Sequence, residues 1–462
     1  MRQSHGSRAR RFSASRIPSP DSRTLSMLAY YLQLGLRSLR RNPALTTLMV
    51  MAIGFGVAAS MITWSVFRAV SGNPIPGKSA QLFTPQVDGW GPQQNLKGEP
   101  AEALGYVDAM ALLRAHQAKR QTLLYPLRLS VIPQGSRELP LNADGYAVTA
   151  DFFAMFEVPF RYGGGWSAQD DEARGSEVVI SSKLNQKLFG GADSVGRTIG
   201  LGGHDFRIVG VVSHWNPRPR FYDLFSTSGF ADEPDIYMVF NRALDLQMRT
   251  GGRNSCRGSI SYTSWQGYLQ SNCVWVTPWV ELDSPADVAR YRRFLENYAA
   301  DQQRAGRFGW AANVRLRDVM QWLDYEHVVP PESRIALVVA LGFFLICLVN
   351  TIGLLLAKFM RRAGEIGVRR ALGATRREIY TQYLVEAGTV GLAGGVLGLL
   401  FTALGVSGVG ILFQPEIARL ARLDLSLVGL TFVVAILATV AAAFYPAWRA
   451  AHVQPAWQLK SS

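Results

Sequence analysis

Four stretches of this chain run without a charged residue for long enough to cross a membrane: residues 42–67, 335–357, 387–413 and 425–448. A helix needs roughly 20 apolar residues to span a ~30 Å hydrocarbon core. A buried core helix accounts for one such run but not for four. The pattern predicts an α-helical membrane protein with one span, then a large external domain over residues 68–334, then three more spans.

Inside that domain the periodicity changes. Residues 177–180 predict a strand and 181–189 a helix, while 197–201 and 205–213 predict strands joined by Gly202-Gly203, a hairpin signal. Residues 274–281 predict another strand. Ser284 then precedes Pro285 and Asp287, the N-cap, first-position proline and acidic first turn of a helix reaching residue 303. Residues 313–317 predict a closing strand, and 319–326 lead back to the membrane. With an irregular stretch at 218–272, this predicts a mixed α/β domain of two subdomains carrying an insertion.

The loop between the second and third spans, residues 358–386, reads in its centre Glu365-Ile-Gly-Val-Arg-Arg-Ala-Leu-Gly-Ala-Thr-Arg-Arg-Glu-Ile379. Gly373 suits the left-handed conformation that closes a helix. Thr375 with Glu378 three residues later makes a capping box that starts the next one. The expectation is a short basic helix, a break and a fresh helix, an elbow on the membrane surface. The third span is rich in glycine, and Gly391/Gly395 and Gly394/Gly398 are G-x-x-x-G pairs that let helices approach closely. Packing within one subunit and packing across a dimer each explain them.

Charge sets the orientation. The net charge of +14 resembles a nucleic-acid footprint until it is mapped. Residues 1–41 hold nine Arg and one Asp, and residues 358–386 hold seven Lys/Arg against three Glu. Residues 68–334 hold 28 basic and 28 acidic residues. All the surplus falls on one side of a four-span chain, so by the positive-inside rule both termini and the elbow are cytoplasmic. The neutral domain is then periplasmic, and no nucleic acid is called for. Residues 1–27 read as a disordered basic segment, with Met27 an alternative start, and 28–41 as an amphipathic interfacial helix. Residues 414–424 read as a short periplasmic loop and 449–462 as a cytoplasmic tail.

Candidate chemistry is sparse. Gly72-Asn-Pro-Ile-Pro-Gly-Lys78-Ser79 fits a Walker A pattern, but Pro74 and Pro76 remove phosphate-binding N–H groups and a span precedes it. A linker leaving the membrane is the expected reading. The six histidines show no metal-ligand spacing, and Asp170-Asp171-Glu172 reads as a solvated loop. No cofactor or metal is expected, and with no ionisable residue at mid-depth a proton or ion relay is disfavoured. Asn350 and Thr351 in the second span are expected to be satisfied by helix–helix hydrogen bonds. Cys256 and Cys273 lie in a compartment where disulfides persist, with their pairing left open.

The elbow and the ending Tyr445-Pro-Ala-Trp-Arg-Ala-Ala-His-Val-Gln-Pro455 resemble the signature of FtsX-like permeases, the membrane subunits of MacB-type ABC transporters. Tyr146-Ala-Val-Thr-Ala-Asp-Phe-Phe, Val178-Val-Ile-Ser-Ser, Leu188-Phe-Gly-Gly-Ala-Asp-Ser-Val-Gly-Arg197 and Phe206-Arg-Ile-Val-Gly-Val-Val resemble the MacB-like periplasmic core domain. The resemblance implies a permease subunit of the bacterial inner membrane with no fused ATPase and no catalysis of its own. Its partners would be a separate cytoplasmic ATPase that binds ATP and Mg, and a second permease copy, identical or related. A periplasmic adaptor and an outer-membrane channel are further candidates. Motion would pass from the ATPase through the spans to the periplasmic domain, for efflux or lipoprotein extraction. The expected ATPase-docking residues are Glu365, Arg369, Arg370, Leu372, Gly373, Ala374 and Thr375. The rival reading is a membrane-anchored sensor or scaffold with a ligand-binding external domain.

Overall fold

The computed structural model describes residues 42–95, 97–132, 140–227, 229–257, 262–329, 331–412 and 425–452. The expectations for residues 1–41, 414–424 and 453–462 lie outside these. The described chain forms two compact units, one of long helices and one, Phe67–Pro331, built on a sheet.

The first span is α1 (Pro43–Ser71), with proline at its first position. The external unit follows as β1 (Leu82–Val87), β2 (Leu104–Gly105), α2 (Tyr106–Arg114), β3 (Arg120–Ile132), β4 (Leu141–Val148), α3 (Asp151–Met155), β5 (Phe160–Gly163) and α4 (Ala168–Ala173). It continues through β6 (Glu177–Ser181), α5 (Ser182–Phe189), β7 (Thr198–Leu201), β8 (His204–Val212), β9 (Ile236–Val239), α6 (Phe240–Asp245) and α7 (Trp265–Leu269). It ends with β10 (Val274–Glu281), α8 (Pro285–Arg304), β11 (Val314–Asp318) and α9 (Val319–Tyr325). The helical unit adds α10 (Pro331–Met360), α11 (Ala363–Ala371), α12 (Arg376–Leu412) and α13 (Leu425–Ala451).

One mixed sheet runs β11-β1-β10-β3-β4-β9-β6-β8-β5, with β2 on β10 and β7 on β3 and β8. The pairs β4/β9 and β6/β8 are parallel and the remaining pairs antiparallel. Both faces are buried. Ala147, Val178, Ile180, Ile236 and Met238 pack on one side, and their chain neighbours Tyr146, Val148, Val179, Tyr237 and Val239 on the other. Strands covered twice read as continuous apolar runs rather than alternation.

The sheet corrects the expected division into two subdomains with an insertion at 218–272. It is continuous, and β9 from within that stretch lies between β4 and β6. Phe221 and Tyr222, also from it, are fully buried. The rings of Phe221 and Trp279 meet edge-on at 5.4 Å, and those of Tyr222 and Phe156 stack at 5.7 Å. Tyr146 donates to buried Asp223 at 2.8 Å, and Arg220 donates to the Ala231 carbonyl at 3.2 Å.

Other local expectations hold. Gly202 and Gly203 take φ of +57° and +87° between Leu201 and its partner His204, as a tight hairpin with two positive-φ residues needs. Ser284 caps α8 by accepting from the Asp287 N–H at 3.2 Å. Cys256 and Cys273 are joined by a disulfide, beside a bridge between Ser255 and Val274. The acidic triplet is corrected in part. Asp170 caps α4, but Asp171 is buried and accepts from the Ala150 N–H and from Trp166 Nε1 at 2.9 Å.

Two buried carboxyls give the external unit a pH dependence. Burial lifts Asp171 to about 7, and burial with the nearby charge of Glu102 lifts Glu326 to about 8 against the opposing Arg253 and Arg317. Both folded values exceed the ordinary values near 4, so the native state favours the protonated acids. Their stabilising effect is full below about pH 4 and is lost as pH rises through about 7 and 8. Melting of the full-length protein in detergent should therefore move to higher temperature when the pH falls from 8.5 to 6, by on the order of 1–3 kcal/mol. Glu326→Gln should flatten that profile, and an unchanged profile would remove Glu326 from the account.

In the helical unit α12 is central, and its glycines face two partners. A Cβ at Gly391 would stand 2.9 Å from the Ala435 carbonyl oxygen of α13, and one at Gly395 3.0 Å from the Phe432 ring. On the other side a Cβ at Gly394 would meet Ile53 at 2.7 Å, and one at Gly398 the Gly54 carbonyl at 3.3 Å, both on α1. Both G-x-x-x-G pairs therefore pack within the subunit. Gly391→Val should destabilise the detergent-solubilised protein by about 1–3 kcal/mol, because backbone must move to admit the side chain. A melting temperature equal to wild type would contradict that packing.

Candidate functional site: the elbow between α10 and α12

The elbow is built as its sequence specifies. At the end of α11 the Gly373 N–H donates to the Arg370 carbonyl at 3.2 Å and the Ala374 N–H to the Arg369 carbonyl at 3.0 Å. With Gly373 at φ +102°, this is a Schellman closure. The Thr375 N–H then donates to Glu378 Oε2 at 2.9 Å and the Glu378 N–H to Thr375 Oγ1 at 3.2 Å. The reciprocal box starts α12, so the third helix begins at Arg376, well before the apolar run at 387.

One face of α11 is welded to the spans. Ala363, Ile366 and Gly367 are buried, Ile366 in the cluster that holds Phe359, Tyr383 and Ala447. Arg369 donates to Glu365 at 2.8 Å and to Gln382 Oε1 of α12 at 3.0 Å. Arg370 donates to the Ala451 carbonyl of α13 at 3.5 Å. Beneath them lies a buried charge cluster. Lys358 Nζ sits 3.0 Å from Glu386 Oε1 with side-chain exposures of 0% and 4%, and Arg362 donates to Glu386 Oε2 at 3.2 Å. The lysine makes no aligned hydrogen bond there, so charge rather than geometry holds it.

The other face is open. Val368 is 56% exposed and Leu372 84%, and Gly364, Ala371, Gly373, Arg376 and Arg377 are exposed around them. Of the seven expected docking residues, Glu365, Leu372, Gly373 and Thr375 are exposed, whereas Arg369, Arg370 and Ala374 are half-buried. The structure thus presents an apolar knuckle rimmed by arginines. Lys358, Arg362 and Glu386 are the residues that sequence reasoning did not nominate. Their signal was a glutamate directly before a long uncharged run, facing two cations across the elbow.

The Walker-like stretch has a different job. Asn73 donates to Ser79 Oγ at 2.8 Å, and its Oδ1 accepts from the Ile75 N–H at 3.1 Å. Lys78 donates to the Ala154 carbonyl at 3.2 Å and lies 3.4 Å from buried Glu281, which also pairs with Arg120 at 3.0 Å. The stretch is a tied-down turn without an open phosphate cradle. Among the described residues no group of three or more His, Cys, Asp or Glu is placed to hold a metal.

Four long apolar helices, an external mixed α/β unit and an elbow with one bound and one open face define a membrane protein of the permease type. Residues 46–298 match the model of the MacB-like periplasmic core domain, and residues 337–455 that of the FtsX-like permease C-terminal region. The chain belongs to this family of ABC-transporter permeases. It is 24% identical over 420 residues to the macrolide export ATP-binding/permease protein MacB of Pasteurella multocida, covering 88% of this chain and 54% of that protein. It is 24% identical over 350 residues to the pyoverdine export ATP-binding/permease protein PvdT of Pseudomonas aeruginosa, covering 72% and 46%. The periplasmic region of MacB from Actinobacillus actinomycetemcomitans is similar at 13% identity with a TM-score of 0.34, over 54% of this chain and 94% of that one. The chain spans about half the length of the curated relatives it matches.

Proposed function

We propose that this chain is the non-catalytic, force-transmitting subunit of an inner-membrane ABC transporter. A cytoplasmic ATPase carrying ATP and Mg docks on the knuckle at Leu372, and its movement passes through the elbow and spans to the periplasmic domain. The observation that carries this is the two-faced elbow. Its inner face is tied to α12 and α13 by Arg369, Arg370 and the Lys358–Glu386–Arg362 cluster, while its outer face leaves a leucine 84% exposed. A lever needs both a rigid root and an accessible handle. The names of the curated relatives, macrolide export and pyoverdine export, favour export of a small molecule from the periplasmic side. Lipoprotein extraction would call for a broad exposed apolar surface. The large apolar side chains exposed among the described residues of the external unit are Val107, Ile132, Val195 and Met320.

The test is to identify the chains that co-purify with the detergent-solubilised protein. Recovery of a P-loop ATPase supports the permease reading. Recovery of none would favour the anchored sensor or scaffold instead.

A further inference from the structure

The helix least occupied by its own chain is α10. Of its apolar window 17% is buried, against 50%, 39% and 33% for α1, α12 and α13. Ala340, Cys347, Thr351 and Leu355 form its narrow buried strip, and most of the remaining circumference is exposed. Lipid covers apolar side chains without difficulty, so exposure alone assigns nothing. Two details do.

The first is Asn350, the one amide side chain in the four apolar segments. The sequence analysis expected it and Thr351 to be satisfied by hydrogen bonds. Thr351 is, donating to the Cys347 carbonyl at 2.8 Å, as Ser60, Thr402, Thr431 and Thr439 donate to carbonyls one turn back. Asn350 points outward, and among the described residues its amide has no hydrogen-bond partner. An amide left bare in hydrocarbon carries a penalty of kcal/mol size. Carrying both donors and an acceptor, it is complementary to a copy of itself across a two-fold axis.

The second detail is the spacing around it. Val339, Ile346 and Gly353 recur every seven residues on the face of Asn350, the repeat of a left-handed helix pair. The glycines at 54, 56, 391, 394, 395, 398 and 405 each meet a neighbouring helix closely, whereas a Cβ at Gly342 or Gly353 would find nothing within 4 Å. Small residues with no partner in their own chain, on the face of an unpaired self-complementary amide, point to one occupant.

We propose that α10 pairs with α10 of a second copy of this chain, with the two Asn350 amides hydrogen-bonded at the axis and Gly353 admitting the close approach. This rests on the permease reading in naming its second subunit as an identical one. Its failure is nevertheless separable, because ATPase recovery reports on the elbow and not on this face.

The experiment is oxidative cross-linking of the full-length protein in native membranes, in a Cys347→Ala background that leaves the Cys256–Cys273 disulfide in place. Single cysteines at Val339, Ile346 and Gly353 should give cross-linked dimers, and cysteines at Leu341 and Leu345, exposed on the opposite side, should not. In liposomes, Asn350→Leu should weaken dimerisation roughly three- to twentyfold, the range measured for interhelical hydrogen bonds in membranes. Gly353→Leu should weaken it too while leaving the fold intact, since its side chain meets nothing in its own chain. Cross-links only at 341 and 345 would overturn the proposal. So would a monomer at every position, a dimer indifferent to both substitutions, or pairing only with a different permease.

Discussion

Glu386→Leu alone should destabilise the solubilised protein by roughly 3–5 kcal/mol, the loss that follows when one partner of a buried ion pair is removed. Lys358 has no exposed surface, so it would remain in the helical unit without the carboxylate now 3.0 Å away. Arg362 would lose the same partner but is 14% exposed and closer to water. The double variant Lys358→Met with Glu386→Leu should regain most of the loss, because apolar groups of similar volume replace a buried pair at little penalty. Thermal unfolding in one detergent separates these outcomes. Equal melting of Glu386→Leu and wild type would mean that the cluster does not hold α10 to α12. The stable double variant also serves function. If the cluster roots the lever, it should fold yet transmit ATPase work less well.

Leu372→Ser should leave melting unchanged and abolish partner capture. The side chain is 84% exposed and contributes little to the fold. As the centre of the knuckle it should behave as a hot spot worth ~2 kcal/mol or more, so ATPase recovery should fall by roughly 30-fold. Reversing Arg369 and Arg370 should act differently. Their bonds to Gln382 and to the Ala451 carbonyl hold α11 in place, so the reversal should loosen the elbow and reduce capture together. Capture by Leu372→Ser equal to wild type would move the docking site elsewhere on the chain.

The membrane half of this fold was legible because its determinants are local. Gly373, Thr375 and Glu378 sit within six residues and specify the elbow through backbone geometry alone. The four spans follow from length and polarity. Two things were not local. Strands β3, β4 and β9 are covered on both faces, so Leu123, Leu124, Tyr125 and Leu127 read as an unbroken apolar run with no period of two. The stretch 218–272 therefore looked like an insertion although Phe221, Tyr222 and Tyr237 fill the core. The partners of Glu386 lie 24 and 28 residues away and meet it only because α10 and α12 return alongside each other. The glycines of α12 were read correctly as contact sites, but nothing in the spacing of Gly391 and Gly394 says whether the neighbour belongs to the same chain. The structure answers with Ala435 and Ile53.

The claim that the elbow drives the external unit is tested most directly by a distance measured outside the membrane. His214, whose side chain is 86% exposed, can be replaced by cysteine in the Cys347→Ala background and spin-labelled on paired copies. With the co-purified ATPase bound, the distribution of label distances should shift between the nucleotide-free state and the state trapped with Mg-ATP, and Leu372→Ser should abolish the shift. The same distances in both states, with ATPase bound and hydrolysing, would contradict the account.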